Sequence, residues 1–256
     1  MPKKKDYRMR AHINPLNTTP FPYPPHHTFV DWKSHYPLKF GCSQQENTKS
    51  YCNTIEHPCF YEEERKYSLD GKNVSIVDIG CGYGGLLFAL APLFPDKLII
   101  GMEIRDKLVN YVADKIRAMR TTEPQNFSHV GVVRTNTMRH LCQYFPKESL
   151  DLIFICFPDP HFKAKNYRRR IINTGFLSEY AYLLKPQGRI YCITDVLELH
   201  EWHVEHLRAH DMFKELPAKE DDPCIKVMLN KTEEGQKVER NKGDKYYAVF
   251  ERKSFQ

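Results

Sequence analysis

The stretch from Val74 to Gly85 restricts the fold most. Val74-Ser75-Ile76-Val77-Asp78-Ile79 runs directly into Gly80-Cys81-Gly82-Tyr83-Gly84-Gly85. A short apolar run bounded by glycine reads as a strand buried on both faces. The glycine turn opens a helix, predicted over Gly84 to Phe94, as in the strand–turn–helix unit of a parallel α/β sheet. Glycines there let the backbone approach a ligand closely. In such a sheet, ligands bind beyond the carboxyl ends of the strands.

The pattern then repeats. Leu98 to Glu103 reads as a second strand. Arg105 to Arg120 reads as an amphipathic helix with Leu108, Val112, Ile116 and Met119 on one stripe. Val130 to Arg134 and Leu152 to Phe157 are a third and a fourth strand. Arg170 to Leu184 is a helix stopped by Lys185-Pro186, Arg189 to Thr194 a fifth strand and Val196 to Phe213 a long helix. Two final strands are expected near Cys224 to Leu229 and Tyr246 to Glu251. Residues 41–256 therefore read as one α/β domain. Residues 1–40 read as an extended basic arm: seven of the 17 prolines fall by Pro37, and proline fixes φ and removes donors. That arm carries Tyr7, Arg8, Arg10, His12, Phe21, Tyr23 and Trp32, which suit stacking on bases and pairing with phosphate, or packing on the core.

The longest apolar runs, Leu86 to Ala91 and Leu150 to Phe157, are too short to span a bilayer, so no membrane association is expected. No N-terminal apolar stretch reads as a signal peptide, and the protein is expected to stay inside the cell. None of the eight cysteines forms a Cys-x-x-Cys pair, so neither a metal nor a disulfide framework is expected. The net charge is +6. It is concentrated: Lys163, Lys165, Arg168, Arg169 and Arg170 follow His161 with no acid between them, and Lys3-Lys4-Lys5 form a second cluster.

Two ligand classes compete for the glycine loop. Gly80, Gly82 and Gly85 satisfy G-x-G-x-x-G, which alone is a weak dinucleotide signal. Asp78, in the strand before the loop, would face a pyrophosphate unfavourably and suits a ligand with a cationic end. Glu103 closes the second strand, where a carboxylate can accept both hydroxyls of a ribose. An adenosine carrying an ammonium and a sulfonium, S-adenosylmethionine, fits both. Asn136 and Thr137 close the third strand, where they can meet an adenine edge or cap a helix.

The fourth strand leads into Phe157-Pro158-Asp159-Pro160-His161-Phe162-Lys163. Two prolines around one acid limit where Asp159 can point. Phe157, His161 and Phe162 can stack on a base, and the basic run follows at once, so RNA is preferred over a bare charged surface.

Four segments carry a closer likeness: Asp78 to Gly85, Gly101 to Arg105, Phe157 to Lys163, and Thr232-Glu233-Glu234-Gly235. With Arg8 to His12 and Thr194 to His200, they resemble the eukaryotic branch of the tRNA (guanine-N7-)-methyltransferase family. The likeness runs from about residue 7 to the end. It implies a Rossmann-like class I methyltransferase fold: a seven-stranded, mostly parallel sheet with a final antiparallel strand pair and helices on both faces. It implies methyl transfer from S-adenosylmethionine, leaving S-adenosylhomocysteine, to N7 of the variable-loop guanine of tRNA. It implies a non-catalytic WD-repeat β-propeller subunit as partner; separately, the Lys3-Lys4-Lys5 start is expected to direct a nuclear share of the protein beside a cytoplasmic one. By the same likeness, Gly80, Gly82, Glu103, Arg105, Asn136, Thr137, Cys156, Thr232 and Glu234 fall at cofactor-contact positions and Asp159 at the catalytic one. The basic residues Arg8, Arg10, His12, His161, Lys163, Lys165, Arg168, Arg169 and Arg170 are the expected RNA contacts. Two readings stay open beside it: a methyltransferase on another RNA or on protein, and a non-catalytic RNA-binding scaffold with the same fold.

Overall fold

The computed structural model describes residues 1–10, 13–16, 22–58, 73–217, 219 and 221–254. His12 and Phe21 lie outside them. Seven strands form one sheet: β1 Val74–Ile79, β2 Leu98–Glu103, β3 Val130–Arg134, β4 Leu150–Cys156, β5 Leu184–Thr194, β6 Phe213–Leu216 and β7 Tyr246–Arg252. Their spatial order is β3-β2-β1-β4-β5-β7-β6. The first five are parallel, and β7 runs antiparallel between β5 and β6. The strand order reverses between β1 and β4, where a parallel α/β sheet places its ligand crevice.

The pleat explains why these strands lack polar alternation. Val77, Ile100, Ile153 and Ile190 join one core, while Ile76, Ile99, Phe154 and Tyr191 join a second. Adjacent residues point to opposite faces, and both faces are covered. Helices α1 Gly85–Leu90, α2 Asp106–Thr122 and α5 Pro223–Lys231 pack on the second core. Helices α3 Thr174–Leu183 and α4 Leu197–Ala209 pack on the first. Helix α6, Glu233–Arg240, follows α5 directly.

The segment expected as a sixth strand, Cys224 to Leu229, is instead the body of α5. Asp222 caps it, its carboxylate accepting from the Cys224 amide at 2.8 Å, and Pro223 takes the first turn, where a missing N–H costs nothing. Ile225, Val227 and Leu229 alternate as in a strand, but burial follows Cys224, Ile225 and Met228 at helical spacing. The true β6 lies earlier, because α4 ends at Ala209 and releases Phe213 into the sheet. Helix α3 likewise starts four residues late, at Thr174, because Asn173 caps it.

No break in packing marks residue 40. Val30, Trp32 and Tyr36 are buried in the first core, and the Tyr36 hydroxyl donates to the Ile99 carbonyl at 3.0 Å. Arg120, in the last turn of α2, has no exposed surface and donates to the carbonyls of His35, Asn47, Lys49, Phe127 and Val130. One cation on α2 thus ties His35 before residue 40, and Asn47 and Lys49 after it, to the edge strand β3.

Candidate active site

The carboxyl ends of β1 to β5 open on a cleft of about 580 Å³. The loop after β1 forms its floor. Gly80, Gly82 and Gly84 have φ of 77°, 56° and 77°, a region that side chains disfavour. At Gly85 a Cβ would come within 2.4 Å of the Lys231 carbonyl oxygen, so α1 packs against the α5–α6 junction only because this residue is glycine.

Asp78, next to last in β1, lies at the floor and is 2% exposed. Burial pushes its carboxyl up to about 8, and the negative charges of Glu233 and Glu103 add to the push. This corner is electrically short of a cation, and a ligand ammonium fits it. The sign is definite. A carboxyl raised on folding contributes stability below its unfolded value of about 3.8, and that contribution is lost as pH rises through about 8. A cationic ligand reverses the preference and drives the proton off. Affinity for S-adenosylmethionine is therefore expected to rise with pH between about 4 and 8. Calorimetry at pH 6.5 in buffers of different ionisation heat should find up to about one proton released per site, a release lost in Asp78→Asn. Equal heats in both buffers would place Asp78 outside the binding contact.

Glu103 ends β2 and is 3% exposed. Its two oxygens accept from the amides of Gly82, Ile104 and Arg105 and from the Arg105 guanidinium at 2.9 and 3.1 Å. A ribose that reaches Glu103 must therefore share it with Arg105 or displace that side chain. Asn136 is the cap of the short helix Thr137–His140, its carbonyl accepting from the Met138 amide, while its amide group donates to the Pro15 carbonyl at 2.7 Å. The arm thus reaches the cleft, with Ile13 and Pro15 among its walls. The Thr135 hydroxyl, in the same wall, is buried without a hydrogen bond among the described residues. A donor-and-acceptor group left open there suits the edge of a polar ring.

The opposite wall comes from α6. The Thr232 hydroxyl is spent locally, accepting from Gly235 and donating to Met228. Glu234 borders the cleft but is half exposed and paired with Lys237. Glu233, absent from the residues expected at the site, reaches further: it accepts from the Gly85 amide at 3.2 Å and pairs with Lys4 at 3.0 Å. Its place beside Thr232 carries no signal of this, because the Gly85 amide lies 148 residues away.

The fourth wall is the Pro158-Asp159-Pro160 loop. Asp159 lines the cleft with Cys156, and its carboxylate accepts from the His161 amide at 3.4 Å. Phe157 and His161 flank the loop at φ of 51° and 47°. Such left-handed residues cost on the order of 1–3 kcal/mol each and cluster at functional sites. Burial, with Asp78 nearby, pushes the Cys156 thiol well above its usual range, so it is no thiolate nucleophile. Asp195, at the end of β5, also borders the cleft.

The basic run divides. Lys163, Lys165 and Arg168 are exposed. Arg169 lines the cleft and its Nε is buried without a partner among the described residues. Arg170 corrects the expectation of a phosphate contact: it is 1% exposed and paired with Glu198 at 2.7 Å. Aromatic neighbours can desolvate a guanidinium, and a run of cations in sequence does not reveal that. In the arm, Arg8 and Arg10 are exposed. The arm's aromatics instead pack on the domain: Tyr7 bonds Asp114 and lies edge-on to Tyr111, and Tyr23 stacks on His140. Among the described residues, no group of three His, Cys, Asp or Glu side chains could hold a metal, and no helix is long and apolar enough to cross a membrane.

A family model described as a putative methyltransferase matches residues 72–248. A tRNA (guanine-N(7)-)-methyltransferase of Kluyveromyces lactis is 47% identical, over 98% of this chain and 84% of its own. Proteins of the same name from Podospora anserina and Yarrowia lipolytica are each 44% identical, over 98% and 99% of this chain and 89% and 78% of theirs.

Proposed function

The chain belongs to the tRNA (guanine-N(7)-)-methyltransferase family, and from that premise we propose that it methylates N7 of the variable-loop guanine of tRNA. The observation that carries the reading is one cleft that gathers Asp78, Glu103 and Asp159. Asp78 and Glu103 are buried beside the glycine loop, Asp159 lines the same cleft, and the exposed cations Lys163, Lys165 and Arg168 follow it closely in sequence.

S-adenosylmethionine supplies an electrophilic methyl group on a sulfonium. Asp78 receives its ammonium, Glu103 its ribose, and Thr135 and Asn136 the region of the adenine. Guanine N7 carries a lone pair and no proton, so attack needs no general base. What the residues contribute is position and charge. Asp159 accepts from the donor-rich Watson–Crick edge of guanine, and its charge favours the cation that forms on the base. The target base must leave its stack, at a cost of a few kcal/mol. Phosphate contacts from Lys163, Lys165, Arg168, Arg8 and Arg10 offset that cost.

The deciding experiment is methyl transfer to tRNA followed by nucleoside analysis. N7-methylguanosine lost on replacing the variable-loop guanine is the expected result; another methylated nucleoside, or transfer to protein, would overturn the reading. Neutralising Lys163, Lys165 and Arg168 together should weaken tRNA binding and flatten its salt dependence, by about one unit of slope at most for each cation removed. An unaltered slope would make these residues a solvated face or a protein interface.

Family membership also supports a WD-repeat β-propeller subunit as partner, to be checked by the mass of the co-expressed pair. Lys3-Lys4-Lys5 suit a nuclear import signal, a weak class of motif. A reporter carrying residues 1–12 should gain a nuclear share, and one that stays cytoplasmic would count against the signal.

A further inference from the structure

We propose that Arg170 is a positioning residue of the methyl-transfer site, acting on the Asp159 loop from behind. This rests on the reading that Asp159 holds the guanine. The Arg170 Nε donates to the carbonyl of Pro160, next in sequence to Asp159, at 2.9 Å. Its Nη2 donates to a Glu198 carboxylate oxygen at 2.7 Å. The guanidinium carbon lies 3.7 Å from the centre of the Tyr167 ring and 4.6 Å from that of Trp202. Both rings are themselves held: the Tyr167 hydroxyl donates to the same Glu198 oxygen at 3.0 Å, and the Trp202 indole donates to the Ile172 carbonyl at 2.7 Å. The cation is therefore fixed by two rings, one carboxylate and one loop carbonyl.

The loop needs such a hold. Its two flanks, Phe157 and His161, sit in the left-handed region, where side chains resist staying. The Phe157 amide anchors one end of the loop to the Ile193 carbonyl at 2.8 Å, but Pro158 and Pro160 have no N–H to donate, so at those two residues main-chain anchoring must go through carbonyls. A guanidinium meets that need well, because its rigid fork serves the Pro160 carbonyl and the Glu198 carboxylate at once. Lysine offers a point charge that cannot keep both in the same plane. Glu198 stands in the first turn of α4, which packs on the sheet, so the hold leads from the core to Asp159.

The test uses the 256-residue chain with Arg170→Lys and Glu198→Ala, the latter at a half-exposed position and the safer variant for folding. Hydrogen exchange of the 157–163 peptide in the protein without tRNA should speed up at least about tenfold in both, with the β1 and β5 peptides unchanged. On tRNA, kcat should fall on the order of 30-fold for Arg170→Lys and about fivefold or more for Glu198→Ala. KM for tRNA, its salt slope and methyl-donor affinity should stay within about twofold of wild type. Unchanged exchange of 157–163 in a folded variant overturns the hold. A retained kcat overturns its role in transfer. A raised KM with a flatter salt slope returns Arg170 to the phosphate contacts and also overturns it. Should Arg170→Lys not fold, Glu198→Ala decides by the same criteria. Wild-type protein that methylates no tRNA counts against the proposed function, while the exchange measurement still decides whether Arg170 holds the loop.

Discussion

Asp159→Ala is expected to lower single-turnover methylation of tRNA by a factor on the order of 100 or more, the scale expected when a charged positioning group is removed. The fold and the methyl-donor affinity should remain close to wild type, because Asp159 sits in a loop at the cleft wall and is not among the core residues. Asp159→Asn separates two roles for the carboxylate. If it chiefly accepts hydrogen bonds from guanine, Asn keeps one acceptor and part of the rate. If its charge stabilises the cation forming on the base, Asn should be nearly as slow as Ala. An Ala variant with wild-type turnover on a variable-loop guanine would remove Asp159 from the chemistry. The proposed methyl-donor site would be untouched by that result, since it rests on Asp78, the glycine loop and Glu103.

Arg120→Ala is expected to cost about 3–5 kcal/mol of stability, the range for breaking a buried charged cluster on one side. Five carbonyls, from His35, Asn47, Lys49, Phe127 and Val130, would lose their donor together, and each buried unsatisfied acceptor is expensive. Burial pulls the guanidinium down to about 10, still charged at neutral pH, so the wild-type hydrogen bonds are charge-assisted. For a chain of this size the loss corresponds to a fall in Tm of roughly 6–20 °C. Arg120→Lys should recover little of it, because an ammonium has three donors and cannot span carbonyls on opposite sides. Thermal unfolding followed by circular dichroism measures both variants. A Tm within about 1 °C of wild type for Arg120→Ala would show that water replaces the guanidinium at no net cost.

The features legible in the sequence are local ones. The strand from Val74 to Ile79, the glycine loop, and the acids at the carboxyl ends of β1 and β2 can be read there because period and turn chemistry act over a few residues. The same holds for the proline-framed Asp159, since Pro158 and Pro160 restrict their own neighbours. Where two periods competed, as in Cys224 to Leu229, packing chose between them: the cap at Asp222 and the apolar face of the second core selected the helix. Packing also set the state of every charge. Lys163 and Arg170 look alike in a basic run, yet one is solvated and the other lies between two rings with Glu198 from another helix. Glu233 at the Gly85 amide, Pro15 at Asn136 and Arg120 among its five carbonyls are likewise contacts between distant segments. The reason is physical: a side chain's type is written in the chain, but its solvation is set by whatever the fold packs against it.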